Sequence, residues 1–353
     1  MGGKAMIAFL RDRMDAWLGR GQHSTSVPVM DGPLQPNQRI ETAPVLLRAE
    51  GLDNLTAGDG LFYSAGPMLM RHEGEELARF DASVSALAAH GQALAVGVEG
   101  KGVTLRGGPH DARRIERLGG QPAACPTALL FDGPDRLIVA LGASDRLPAQ
   151  WKHDLMSHGR SGSVWAVDLR SGAEEKLADG LAWPCGVVKA GDGFVVSEAW
   201  RHRLVRPGDK PLIDRLPGYP GRLIPHGEGY LLAIFAPRNQ LVEFVLRERD
   251  YREDMVREIH PDHWIAPSLQ AAVSFLEPLQ GGAVRQMGEL KPWAPTRSYG
   301  LVVRLDRNFL PVESWHSRAD GRRHGITSLA VWEGRVIAGS HGTGEALILE
   351  EAA

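Results

Sequence analysis

The sequence predicts an all-β fold, a six-bladed β-propeller with helical insertions and an N-terminal helix. Three observations predict it. A pattern of small or polar residue, short apolar run, Gly-bearing turn and second apolar run recurs six times. A further strand pair follows most of the copies, and the chain is rich in turn formers, with 42 Gly and 23 Pro in 353 residues. Such repeats cannot bury their own faces one at a time, and a ring of four-stranded blades does so while leaving only short, protected edges.

Residues 1–45 form a helix and a lead-in. In "MIAFLRDRMDAWLGR" the apolar residues Met6, Phe9, Leu10, Met14, Trp17 and Leu18 recur at helical spacing and charges interrupt them. This is an amphipathic helix that caps its own domain or, alternatively, lies on a membrane surface. Residues 46–353 form the propeller. Its innermost hairpins are "GLDNLTAGDGLFYSAG" from Gly51, "VSALAAHGQALAVGVEGKGV" from Val84, "CPTALLFDGPDRLIVALG" from Cys125, "LAWPCGVVKAGDGFVVSEAW" from Leu181, "YPGRLIPHGEGYLLAIF" from Tyr219 and "GITSLAVWEGRVIAGSHG" from Gly325. Outer pairs such as "GSVWAVDLRSGAEEKLADG" and "YGLVVRLDRNFLPVESWHS" complete units of about 40 residues, roughly 240 in all. Two stretches exceed the repeat. Residues 144–161 are expected to carry a short helix, and residues 247–298 to begin with an amphipathic helix marked by Tyr251, Met255 and Ile259, with "HPDHW" as its stop. Long loops in compact domains are usually functional, so both are candidates for a lid over one mouth of the ring or for bracing between blades.

Composition narrows the function. A hydrophobic content of 43% supports a large core, and a net charge of −3 from well-mixed residues creates no field to gather nucleic acid, which is not expected as a partner. Two cysteines cannot make a disulfide framework in a chain this long. With no signal-peptide pattern and no transmembrane run, the expected setting is reduced and cytoplasmic. The sequence has no GxSxG elbow, HExxH motif, P-loop or dinucleotide fingerprint, so no cofactor is expected.

In a propeller the start of each innermost strand faces the central channel. Aligning the repeats on their turns brings Asp53, Ser85, Thr127, Cys185, Gly221 and Thr327 to equivalent positions, with Asn54 and Arg222 beside them. The motifs "LADGLAWPCGVV", "SEAWRHRLVR", "LPGYPGRL", "FAPRNQL", "YGLVVRLD" and "ITSLAVWEGRVIAGS" resemble, in order and spacing, the strictosidine synthase-like proteins, relatives of paraoxonases and gluconolactonases. The resemblance runs from about Pro33 to about Leu349. It implies a six-bladed propeller whose hydrolase members hold calcium at the channel positions, and bacterial relatives that accompany ABC-transporter components. It also implies where this chain departs. Cys185, Gly221-Arg222 and Thr127 stand where calcium-binding relatives carry amide or acidic oxygens, leaving Asp53, with Asn54, as the surviving ligand. Thr327 stands near the position of the condensing enzyme's catalytic Glu, which disfavours Pictet–Spengler chemistry.

The expectation is therefore a site without metal, with calcium through Asp53 as the alternative. The Arg222 guanidinium is expected to take the cation's place and pair with Asp53, where it can hold a carboxylate or polarise a carbonyl. Cys185 admits three readings: a packed small residue, a nucleophile activated by Arg222 or a histidine, or a soft-metal ligand with Cys125 and His341. His324 and His341 flank the last inner hairpin as candidate bases. Trp183, Tyr219 and Trp264 are expected to form an aromatic rim. Glu198, with Arg201, His202 and Arg203 beside it, reads as a buried ion-pair network ahead of an acid/base pair. The expected function is a small-molecule hydrolase, lactonase- or esterase-like, at the channel mouth. The alternative is a non-catalytic binding propeller that serves a transporter.

Overall fold

The computed structural model describes residues 27–272, 285–286, 289–290 and 296–351. The N-terminal helix expected around Met6–Leu18 and part of the second insertion lie outside these residues. Six four-stranded antiparallel sheets form the blades of a propeller, as the repeats predicted. Their innermost strands are Leu52–Ala57, Val84–His90, Pro126–Phe131, Pro184–Ala190, Gly218–His226 and Ile326–Trp332, here the inner strands of blades 1 to 6.

Blades 1 to 5 each take their four strands in chain order, blade 5 with the second insertion between its second and third, but blade 6 takes its outer strand from the other end of the chain. Val45–Arg48 pairs antiparallel with Glu345–Glu351, with Val45 opposite Leu347. The ring is thus closed by backbone hydrogen bonds between distant segments. Arg323 locks the joint: its guanidinium donates to the carbonyls of Ile40 (2.9 Å), Glu41 (2.8 Å) and Ala43 (2.7 Å), and its Nε donates to Glu345 (2.9 Å).

Neighbouring blades bury apolar faces against each other. Between blades 5 and 6, Leu231, Val302 and Trp315 pack on Ile326, Leu329 and Val336. Between blades 3 and 4, Ile138 and Val164 pack on Val187, Val196 and Val205. Each such aliphatic side chain contributes about 1.5–3 kcal/mol when fully buried. Close approach at the axis needs residues without side chains: a Cβ on Gly186 of blade 4 would sit 2.3 Å from the Gly221 carbonyl oxygen of blade 5.

The first insertion carries the expected short helix, Trp151–Met156. The second begins earlier than expected, with a helix Gln240–Arg247 before Arg249–Glu258. Asn239 caps the first of these, its side-chain oxygen accepting from the Leu241 and Val242 amides. In the second helix only Met255 of the expected apolar trio is buried; Tyr251 and Ile259 are exposed. The face that docks is set by the preceding helix, whose Val242, Val245 and Leu246 join Met255, Leu155 and Met156 in one cluster with Trp183, Trp200, Tyr219 and Phe235. Both insertions therefore pack over the same mouth of the ring. Among the described residues no helix is long and apolar enough to cross a membrane.

Candidate functional site

Every inner strand is irregular at the same level, and that irregularity builds the site. In blades 2, 3, 4 and 6 the pairing skips one residue: Ser85, Thr127, Cys185 and Thr327 each have no partner on the neighbouring strand. In blades 1 and 5 the skip takes in Asn54 and Leu55, and Gly221 and Arg222. Such bulges bend a strand and re-aim a side chain. Here they turn the residues at this level toward the axis.

These residues converge on a cavity of about 140 Å³. At roughly 30 Å³ per water this is room for about five waters, and a cavity of about 150 Å³ holds a molecule the size of benzene. Asp53, Asn54, Ser85, Thr127, Cys185, Gly221, Arg222 and Thr327 all line it, together with Trp183. The aligned repeats thus named the floor of the cavity. Its upper wall was missed: Pro148 and Trp151 come from the first insertion, Leu269 from the second and Phe235 from the second strand of blade 5.

Most bulge side chains are also tied to the next blade. Asn54 Nδ2 donates to the Val84 carbonyl (3.2 Å), Ser85 Oγ to the Pro126 carbonyl (2.7 Å), Thr127 Oγ1 to the Pro184 carbonyl, and Cys185 Sγ to the Pro220 carbonyl (3.0 Å). Thr327 Oγ1 closes the series onto Asp53 Oδ1 (2.7 Å). Each acceptor carbonyl belongs to the residue just before the next bulge, so the side chain satisfies a carbonyl that the broken ladder leaves behind. Cys185 is therefore a tie between blades 4 and 5. Its thiol holds its proton, because burial pushes its pKa up to about 12 against the opposing effects of Ser197 and Arg222. The neutral thiol is a poor nucleophile. Cys125 is fully buried beside Gly142 and its thiol is likewise pushed up to about 12 by burial. Both cysteines are free, and among the described residues no three His, Cys, Asp or Glu side chains come together in a group able to hold a metal ion.

Arg222 is 8% exposed. The expected direct pair with Asp53 does not form; its Nη2 donates instead to Asn54 Oδ1 (3.0 Å), and its Nε has no partner among the described residues. Burial lowers its pKa, while the charge of Asp53 opposes the shift. Asp53 is committed elsewhere. Its Oδ1 accepts from the Asn54 amide (2.6 Å) and Thr327, and its Oδ2 lies 3.7 Å from His341 Nδ1. Burial alone would raise its pKa, but His341, Thr327 and the Asn54 amide outweigh that and hold it below the usual value. Asp53 in turn raises His341, against the effect of burial. Asn54 (φ +53°) and Trp183 (φ +57°) both adopt left-handed backbone, which for a bulky residue such as Trp183 is strain stored at the cavity wall.

Four expected site residues do not line the cavity. His341 is exposed and sits beside Asp53, outside the lining. His324 does not line the cavity; it is 1% exposed, and its Nδ1 is bonded to Ser298 Oγ (2.9 Å) and its Nε2 to the Arg318 carbonyl (2.8 Å), which leaves no nitrogen for substrate. Tyr219 and Trp264 do not form a rim. Tyr219 lies against Phe235 and His202, and Trp264 donates its indole N–H to the Ile259 carbonyl (2.8 Å) under the second insertion. Glu198 is fully buried and binds Arg201 (2.9 Å), Arg203 (2.5 Å) and the Ala182 amide (2.9 Å), the ion-pair network read from "SEAWRHRL".

No protein-family model and no curated protein matches the sequence. Solved structures do. The calcium-binding protein regucalcin of Agrobacterium tumefaciens aligns with a TM-score of 0.50 at 12% identity, covering 86% of this chain and 92% of that one. A gluconolactonase of Xanthomonas campestris aligns with a TM-score of 0.52 at 11% identity, covering 86% of each chain. The likeness is one of fold. It raises the question of calcium, which takes about six to eight hard oxygen ligands. This cavity offers one carboxylate whose Oδ1 takes two hydrogen bonds and whose Oδ2 lies 3.7 Å from His341, an Asn oxygen bonded to a guanidinium, hydroxyls that donate to backbone carbonyls, and a thiol. That donor set does not fit the ion.

Proposed function

We propose that the protein is a small-molecule hydrolase, lactonase- or esterase-like, that works at the channel mouth without calcium. The observation that carries this reading is the buried Arg222 guanidinium lining the cavity beside the Asp53–His341 pair. The propeller architecture shared with a gluconolactonase and the motif resemblance to strictosidine synthase-like proteins agree with it. In the proposed reaction the substrate carbonyl oxygen points at Arg222, whose N–H groups stabilise the oxyanion as it develops. A water attacks the carbonyl carbon. His341, oriented by Asp53 through Nδ1, takes the water's proton on Nε2 and returns it to the leaving alkoxide. Asp53 raises the His341 pKa, which strengthens it as a base.

A second reading has its own support. The hydroxyls and the thiol of Ser85, Thr127 and Cys185 are spent on backbone carbonyls, so none is poised as a nucleophile. A binding protein that serves a transporter would need only the cavity and its cation. Screening lactones and aryl esters separates the two. The hydrolase reading expects turnover that survives EDTA and is lost in Arg222→Met; absence of turnover with every substrate, alongside measurable ligand binding, would leave the binding reading in its place.

A further inference from the structure

The ionic state of Arg222 identifies the pole of the molecule that this cavity takes. Arg222 is buried like the ion-paired Arg238, yet its hydrogen bond goes to the neutral Asn54 side chain and its Nε has no partner among the described residues. Asp53, whose charge acts on the guanidinium, spends Oδ1 on Thr327 and the Asn54 amide and holds Oδ2 3.7 Å from His341. A desolvated guanidinium with unused donor capacity is an anion site, and its planar fork matches a carboxylate.

The remainder of the wall identifies the body. Trp151, Trp183, Phe235 and Leu269 give one apolar side, while the hydroxyls opposite already donate to carbonyls. A polyhydroxylated ligand would meet hydroxyls that accept but whose protons are already spent, and its own hydroxyls facing the apolar side would go without partners. We infer that the cavity selects a small monocarboxylate with an aromatic or branched apolar body, its carboxylate on Arg222 and its body against Trp151 and Trp183. This rests on the cavity being the substrate site of the proposed hydrolase. The acid is then the product of that reaction and a competitive inhibitor of it.

Calorimetric titration of the whole protein with benzoate, benzamide and gluconate tests the inference. Benzamide keeps the body and loses the charge; gluconate keeps the charge and replaces the body with hydroxyls. Benzoate is expected to bind at least about tenfold tighter than either, the equivalent of about 1.4 kcal/mol, since a charge-assisted bond outweighs a neutral one by about that much. Arg222→Met should weaken benzoate by roughly 30-fold or more, and Trp151→Ala by about tenfold. Arg222→Lys checks the case in which the Met variant does not fold: it keeps the charge but loses the fork, and benzoate should still bind it more weakly than wild type. Gluconate or benzamide binding as tightly as benzoate, no benzoate binding, or benzoate binding that survives both Arg222 substitutions would overturn the inference. Benzoate binding without hydrolysis of any ester would sink the hydrolase reading and leave this one standing.

Discussion

Two buried arginines, 16 positions apart, are treated in opposite ways. Arg238, 4% exposed, forms a two-point ion pair with Glu243 (3.1 and 2.9 Å), and Glu243 also lies 3.7 Å from His202. Arg222, 8% exposed, meets a neutral amide. The cost of burying a guanidinium is similar in both places, several kcal/mol before compensation. At Arg238 the fold supplies the compensation, and the pair fastens the helix Gln240–Arg247 to blade 5. At Arg222 the fold leaves it incomplete, beside a cavity. The contrast separates a cation that holds the structure together from one kept for something that enters it.

The largest expected effect lies at the structural cation. Arg238→Met takes the two-point partner from the buried Glu243 carboxylate and should destabilise the protein by about 3–5 kcal/mol in denaturant unfolding. Arg222→Met should change stability by less than about 1 kcal/mol, because Asp53 keeps its other partners and Asn54 keeps its bonds to Ser64 and Val84. If the two variants unfolded alike, the distinction between the arginines would collapse. Equal ligand binding by Arg222→Met and wild type would do the same damage from the other side.

A smaller effect should appear with pH. Asp53 is held below its usual pKa and His341 above its own, so the contribution of their pairing to stability is complete between roughly pH 4 and 6.5. It is lost below as Asp53 takes a proton, and above as pH rises through the raised value of His341. The difference in melting temperature between wild type and His341→Ala should therefore be greatest near pH 5–6, by the same reasoning, and shrink toward pH 9. A difference that grows with alkaline pH would contradict the pairing. The smallest effect is expected for Cys185→Ser, whose hydroxyl can still donate to the Pro220 carbonyl: less than about 1 kcal/mol in stability, with catalysis intact. Loss of turnover in that variant alone would restore the thiol as a nucleophile.

The floor of the cavity was legible in the sequence because the blades repeat. Aligning turns carries Ser85, Thr127, Cys185 and Thr327 to one level, and the bulges there are a property of the repeat. What the repeat cannot convey is where an insertion goes. Trp151 and Leu269 reach the cavity by tertiary packing, and no local pattern encodes that destination. Tyr219, expected at the rim, precedes the bulge and packs into the cluster with Phe235. One signal was available: Asn239 ahead of Leu241, Val242, Val245 and Leu246 is a capped amphipathic helix start, and it places the second insertion correctly. The direct Arg222–Asp53 pair failed for a reason of geometry. The bulge in blade 1 spans Asn54 as well as its neighbour, and the amide oxygen lies closer to the guanidinium.

The central claim is that a side-chain cation at the axis serves where a divalent ion would otherwise be required. A crystal structure determined from protein equilibrated with excess calcium chloride tests it most directly. The account predicts no ion among Asp53, Asn54 and Thr127, with the Arg222 guanidinium still hydrogen-bonded to Asn54. An ion coordinated by Asp53 and Asn54, with Arg222 displaced from the axis, would contradict it.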